Sequence, residues 1–222
     1  MTNYESIRLK ISKYLRKSLA NIRRKKLTSQ DFTIISNNCW AGMIYESYNL
    51  IKSTPTVGLF FMPEDYIKFL NNLEGYIYGT LSFVQPSEST WFKRLKEEGY
   101  TNIGKYPIGQ LSDGRETIEI FFLHYQSEQE AKNKWERRCK RINWDKLLIK
   151  FNDQNGCTEK DLLNFCNIPF KNKIFFTCKT WDNMPQINQI KFIKINQPFN
   201  KEYILTSYEP FGSSITKIIN EL

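Results

Sequence analysis

The sequence predicts an α/β protein: a layered domain with a mostly parallel or mixed sheet flanked by helices, plus a basic N-terminal helix. Three observations carry this. Short apolar runs of strand length alternate with longer segments of helical periodicity, the pattern of a sheet packed between helices. An apolar share of 41%, with 15% aromatic residues, lets a chain of 222 residues bury a core. The net charge of +9 is concentrated at one end: residues 1–27 hold nine Lys and Arg against one acid, Glu5, and the rest holds 23 against 22.

The first element is read from "YESIRLKISKYLRKSLANIRRKKL". Ile7, Ile11, Leu15, Leu19 and Ile22 recur every three or four residues and form one apolar stripe. Lys and Arg fill the other faces. That is the pattern of a helix lying on an anionic membrane surface, where each Lys or Arg contributes about 1 kcal/mol. The plainer reading is a basic helix packed on its own domain. Thr28-Ser29-Gln30-Asp31 break the pattern, so the chain divides into a helix over 1–28 and a single α/β domain over 29–222.

Within that domain, strands are expected near 32–36, 56–61, 80–84, 104–109, 117–124, 146–152, 173–178 and 190–195. Helices are expected near 39–49, 63–73, 90–98, 127–143, 158–167 and 208–220. Thr158 with Asp161 three residues on is a capping-box start for the fifth helix. No internal repeat or low-complexity segment is present.

Composition excludes several classes. The five cysteines, at 39, 139, 157, 166 and 178, are odd in number and contain no C-x-x-C, which argues against a secreted disulfide framework. With one histidine and no paired ligand spacing, no metal site and no cofactor is expected. The near-neutral body argues against nucleic acid as a partner. No apolar run reaches the roughly 18 residues of a membrane span, and no charged-then-apolar leader opens the sequence. The expected location is therefore the cytoplasm.

Polar residues with catalytic potential collect where the expected strands end. Ser36-Asn37-Asn38-Cys39 follows the first strand, His124 closes "IEIFFLHY", and Asn152-Asp153-Gln154-Asn155 follows "LLIKF". In open α/β sheets, ligands bind outside the carboxyl ends of strands, where loops converge and helix N-termini point at the crevice. These clusters supply a Cys–His–Asp set. A thiol in the first turn of a helix feels the positive end of the dipole, which lowers its pKa and raises its thiolate fraction. A histidine beside it takes the proton and returns it to a leaving group. Asp153 or Asn152 would fix the imidazole tautomer. Asn37 and Asn38 would donate to an oxyanion, and Asn152 and Asn155 would contact substrate. Each residue also has a plainer reading: a small apolar residue in a capped helix for Cys39, a satisfied histidine at a strand end for His124, and a turn closed by Gly156 for "NDQNG".

In "SEQEAKNKWERRCKRIN", Ala131, Trp135, Cys139 and Ile142 form the buried stripe of a helix. Arg137 and Arg141 sit one turn apart on a more exposed face, and Arg138 lies beside the stripe. Arginines so placed hold a phosphate or a sugar carboxylate. Otherwise they form a solvated face, with Arg138 pairing to Asp65 or Asp153. The sequence contains no G-x-G-x-x-G, P-loop, G-x-S-x-G or H-E-x-x-H motif.

"FTIISNNCWAGMIYESYNL", "TPTVGLFFMPEDYIKFL", "YPIG", "LHYQSEQEAKNKWERRCKRINWDKLLIKFNDQNGCTEKDLLNF" and "KIFFTCK" resemble the bacterial domain-of-unknown-function family numbered nineteen-nineteen. The resemblance runs from about Asp31 to at least Lys179. Members of that family are commonly labelled exopolysaccharide biosynthesis proteins. The family is similar in turn to a set described as papain-like cysteine peptidases, with an N-C pair near the start, a later histidine and an R-R-x-x-R helix. The matching positions here are Asn38-Cys39, His124, and Arg137-Arg138 with Arg141. One position departs: Ala41 stands where the family pattern "NNCWGG" has glycine.

The resemblance implies surface (exo- or capsular) polysaccharide biosynthesis as the setting. The expected activity is a thiol-dependent acyl or substituent transfer, or a hydrolysis, on a glycan or lipid-linked sugar. The expected roles are Cys39 as nucleophile, His124 as acid and base, and Asp153 as orienter. The basic helix would hold the domain at the inner face of the plasma membrane. Two rival readings remain: a glycosyltransferase-like enzyme without a covalent intermediate, and a non-enzymatic partner of the assembly machinery.

Overall fold

The computed structural model describes residues 3–181, 190–195 and 209–222. The chain begins with helices α1 (Asn3–Ser18) and α2 (Ala20–Arg24), then strand β1 (Thr33–Ser36) and helix α3 (Trp40–Ser47). Helices α4 (Pro63–Asn71) and α5 (Leu73–Ile77) lead to strand β2 (Thr80–Val84), helix α6 (Phe92–Glu97) and strands β3 (Ile108–Ser112) and β4 (Thr117–Phe121). Helix α7 (Glu128–Cys139), strand β5 (Leu147–Asn152), helix α8 (Glu159–Asn167), strands β6 (Lys173–Thr177) and β7 (Lys191–Lys194) and helix α9 (Ser213–Asn220) follow.

The fold is α/β. Its main sheet is parallel, in the order β1-β5-β6-β7, and a second, antiparallel sheet has the order β2-β3-β4. Strand β5 is buried along its whole length, as a central parallel strand covered on both faces must be. Its alternating side chains feed two cores. Leu148 joins Ile34, Ile174 and Phe176 under α3 and α9. Ile149 and Phe151 join Ile35 and Phe175 under α4, α7 and α8. The register sets Ser36 beside Lys150 and Asn152 beside Phe176, so the carboxyl ends of β1, β5 and β6 lie together.

The Thr158–Asp161 capping box starts α8 as expected: Thr158 Oγ1 accepts from the Asp161 N–H, and the Asp161 carboxylate accepts from the Thr158 N–H at 2.9 Å. Other expected elements shift for local reasons. Residues 56–61 do not form a strand. Gly58 takes a left-handed backbone (φ +70), which interrupts the extended run and leaves one bridge, between Phe60 and Phe121. The strand expected over 104–109 begins after Pro107, which has no N–H to give a ladder. Asn72, at φ −138 and ψ 53, splits the helix expected over 63–73 from α5. The helix expected over 208–220 begins at Ser213, and residue 208 lies outside the described residues.

The N-terminal helix breaks at Leu19. The Arg23 guanidinium compensates the break, donating to the carbonyls of Leu15 (2.9 Å), Arg16 (3.0 Å) and Ser47 (3.1 Å). It thereby ties α1 to the end of α3. Arg16 and Ala20 are buried, and both Arg16 and Arg23 lie over the Phe211 ring. The apolar stripe faces away from this contact. Ile7, Ile11 and Ile22 each expose more than half their surface, and Leu15 and Leu19 expose 41% each. Among the described residues no helix is long and apolar enough to cross a membrane.

Candidate active site and the network behind it

Cys39 and His124 line the same cavity, of about 550 Å³. This is the size range of small-molecule sites. The two residues arrive from different sheets. Cys39 stands at the N-cap of α3, just past β1, and His124 lies three residues beyond β4. The irregular segment around Gly58 joins them. The Cys39 thiol donates to the Leu59 carbonyl (3.6 Å), and the His124 N–H donates to the Gly58 carbonyl (3.0 Å). A Cβ at residue 58 would lie 3.2 Å from the His124 Cβ. Glycine is therefore required there by both its backbone conformation and the close approach of the imidazole.

The thiol is not the activated thiolate expected of a helix N-terminus. Burial pushes Cys39 up to about 12, with Lys150 opposing the shift and Glu209 adding to it. A helix dipole contributes about 0.3–1 kcal/mol, less than one pH unit, and α3 is only two turns long, so desolvation wins. Burial also lowers His124 below the usual histidine value, against a pull from Glu46. At neutral pH both groups are therefore uncharged.

The asparagines expected to bind substrate are committed elsewhere. Lys150 points from the middle of β5 into a site with no solvent exposure. Its ammonium has three donors, and three acceptors meet it: Glu209 Oε1 at 2.6 Å, Asn38 Oδ1 at 3.0 Å and Asn37 Oδ1 at 3.3 Å. The Asn37 amide donates to Asn152 Oδ1 (2.7 Å), and the Asn152 amide donates to Glu209 Oε1 (2.8 Å). The Asn38 amide donates to Gln154 (3.1 Å), while its carbonyl oxygen also caps α3 through the Trp40 N–H (3.1 Å). Burial lowers the Lys150 pKa and raises that of Glu209, and each charge opposes the other's shift. Asn37, Asn38 and Asn152 thus hold a buried ion pair and do not line the cavity.

Asp153 is not the orienter of His124. Its Oδ2 accepts from Thr177 Oγ1 (2.5 Å) and the Cys178 N–H (3.0 Å), and it does not line the cavity. Asn155 is a turn residue with φ +58. Its side chain accepts from Tyr100 and donates to the Phe61 carbonyl (3.3 Å). Of Arg137, Arg138 and Arg141, only Arg138 reaches the cavity. It is buried and donates to the Tyr125 hydroxyl, not to Asp65 or Asp153, and that hydroxyl donates to the Val57 carbonyl. Arg137 and Arg141 remain on the exposed face.

Comparison with known proteins adds a family. The family described as Domain of unknown function (DUF1919) matches residues 10–215. The chain belongs to this family. A Haemophilus influenzae protein described as an uncharacterized protein is 35% identical over 198 residues, 89% of this chain and 86% of that one. The DUF1919 match begins inside α1, so it takes in both Lys13 and Arg16.

Those two residues are the part of the site that sequence reasoning assigned elsewhere. Lys13 and Arg16 line the cavity with Lys52, Lys134 and Arg138, and among the described residues Glu46 is its single carboxylate. Their signal was present as the basic face of the first helix. Which basic residues faced the domain was set by the docking of α1 on α3, which periodicity does not specify. Among the described residues no cluster of three His, Cys, Asp or Glu side chains is placed to hold a metal ion.

Two measurements follow from this geometry. Lys150→Met leaves Glu209 buried without its cation and is expected to cost about 3–5 kcal/mol in chemical denaturation. Adding Glu209→Leu removes the second charge and should recover much of the loss. A single variant as stable as the wild type would show that the pair does not hold these segments. For the thiol, alkylation of Cys39 by iodoacetamide should be slow at pH 7 and climb about tenfold per pH unit to pH 10. A rate at Cys39 that has already levelled off at pH 7, read by mass spectrometry, would mean a resting thiolate.

Proposed function

We propose that this DUF1919 protein works at the cytoplasmic face of the membrane in surface (exo- or capsular) polysaccharide biosynthesis. The activity we assign is transfer or hydrolysis of an acyl substituent on a glycan or lipid-linked sugar. The observation that carries the chemistry is the meeting of Cys39 and His124 in one cationic cavity. The setting rests on the motif resemblance, and the membrane location on the exposed apolar stripe of a basic helix.

The neutral state of both groups fits a base-assisted attack. Cys39 Sγ bonds to the acyl carbonyl carbon as its proton passes to the His124 imidazole. The carbon–oxygen bond to the sugar breaks, and the imidazolium returns the proton to the departing sugar oxygen. Water or an acceptor hydroxyl then attacks the thioester, giving its proton to His124. The sulfur leaves and is reprotonated. Glu46, not Asp153, is the carboxylate whose charge favours the imidazolium formed in each half.

A non-covalent reading competes, and the raised thiol pKa favours it. There the cavity binds an anionic sugar, either as a glycosyltransferase-like site or as a binding partner of the assembly machinery, and Cys39 only lines the wall. Deleting the gene in its own host and analysing surface polysaccharide separates these readings. Wild type should restore the polymer, whereas folded Cys39→Ser and His124→Gln proteins should not. Full rescue by Cys39→Ser would reject the covalent mechanism, and an unchanged polymer in the deletion strain would reject the setting.

The membrane assignment has its own test. Ile11→Ser with Leu19→Ser changes two exposed side chains and no charge. It should reduce binding to vesicles containing anionic lipid, because an interfacial helix needs apolar burial as well as attraction. Binding by the wild type should weaken as salt is raised. Equal binding by both proteins would reject α1 as the membrane contact. Deleting residues 1–27 is a poorer test, since it would remove the Arg16 and Arg23 contacts with the domain.

A further inference from the structure

We infer that the cavity beside Cys39 and His124 contains a phosphoryl-binding subsite, built by α1 and α7 and suited to a diphosphate. The inference deepens the proposed function by naming the substrate's anionic group, and it rests on that reading for the glycan context.

Three of the cavity's cations form no ion pair with a described carboxylate. Lys52 is paired with Glu46 at 3.2 Å, and Lys134 is paired with Glu130. Among the described residues no carboxylate forms an ion pair with Lys13, Arg16 or Arg138, and Glu46 and Glu130 act on Arg16 and Arg138 only at longer range. Two of these three are deeply buried, since Arg16 and Arg138 each expose only 8% of their surface. A buried cation without a counter-charge is costly, and folded proteins pair such groups or supply a ligand for them. The hydrogen-bond count agrees. Arg16 donates from Nη1 to Ser12 (3.2 Å), but its buried Nε has no acceptor. Among the described residues Arg138 has one hydrogen-bond acceptor, the neutral Tyr125 hydroxyl. Both guanidiniums line the cavity, and each presents more donors than the protein satisfies.

The charge selects the ligand class. One sugar carboxylate would neutralise one of the three cations. A diphosphate supplies two or three negative charges and enough oxygens for two guanidinium forks and a lysine. Two sources share this chemistry: a soluble nucleotide diphosphate and a diphosphate on a lipid carrier. Position within the fold brings both within reach, because α1 lines the cavity with Lys13 and Arg16 while exposing its apolar stripe.

The test uses the full chain and inorganic pyrophosphate as probe. Pyrophosphate should bind by calorimetry and raise the melting temperature. Lys13→Glu, at an exposed position, should weaken binding about tenfold or more without lowering the unliganded melting temperature. Arg138→Gln should weaken it further. If that variant is too unstable to measure, Lys13→Glu decides. Cys39→Ser should bind pyrophosphate as the wild type does, so loss of the covalent mechanism and loss of the subsite are read separately. Uridine diphosphate, and a polyprenyl diphosphate in phosphatidylcholine vesicles, then compete for the same site, and whichever displaces pyrophosphate at lower concentration identifies the source. No binding of pyrophosphate, or equal binding by the Lys13→Glu protein, would overturn the subsite.

Discussion

The pairing of Lys150 with Glu209 is the constraint on which the rest of the site depends. A lysine at the centre of a fully buried strand is tolerated only if every donor is met, because an unpaired buried charge costs several kcal/mol. Meeting those donors and holding the residues that meet them recruits four stretches of chain. Asn37 and Asn38 come from the end of β1, Asn152 from the end of β5, Gln154 from the turn after it, and Glu209 from near the C-terminus. Asn38 is the pivot. The oxygen that accepts from Lys150 also caps α3, so the ion pair fixes the residue immediately before Cys39. Trp40 and Phe176 close over the ammonium, with ring centres 6.0 Å and 5.5 Å away. Cys39 is thus positioned by a network that it does not join.

The first helix gives the molecule its second organising feature. The charge excess of the sequence lies almost wholly in that segment, and the fold divides its surface by task. Arg23 and Ala20 dock it on the domain, Lys13 and Arg16 face the cavity, and the aliphatic stripe stays in solvent. A helix used only as a membrane tether would not need two of its cations turned toward a cavity. A helix used only for packing would bury its stripe. The helix thus has a docked face, a cavity face and an exposed apolar stripe, and the proposed membrane contact would use the last.

Much of the fold was legible because burial leaves a periodic record. The central strand, the α8 capping box and the alternation of strands with helices could all be read from spacing. What failed was set by single residues or by distant pairing. Gly58 broke an apolar run that otherwise reads as a strand. Leu19 ended a helix whose stripe continues unbroken. That Cys39 and His124 come to line one cavity could be anticipated because both residues follow apolar runs and polar residues gather at strand ends. Asp153 was misread for the same reason: it also ends a strand, but its carboxylate is taken by Thr177 and Cys178. One usable signal was passed over. In "LLIKF", Lys150 sits in a run too apolar for an exposed face, and a buried lysine implies a buried carboxylate. That Glu209 supplies it, 59 positions later in the numbering, is a property of the tertiary fold alone.

The protonation states explain how such a site would remain quiet until occupied. A resting thiolate–imidazolium pair reacts with any electrophile that enters. Here burial keeps the sulfur protonated and the imidazole neutral, so neither is reactive alone. In the proposed mechanism, proton transfer between them becomes favourable only while a carbonyl is being attacked and the sulfur's charge is passing to the substrate. The positive lining of the cavity would favour an anionic substrate, an effect that grows as substrate displaces water. Lys150 lies behind the thiol, where its charge also opposes the burial penalty on sulfur. Its attraction is offset by Glu209 in the resting molecule. The ion pair therefore fixes the position of the sulfur without activating it, and in the proposed mechanism the proton acceptor is His124.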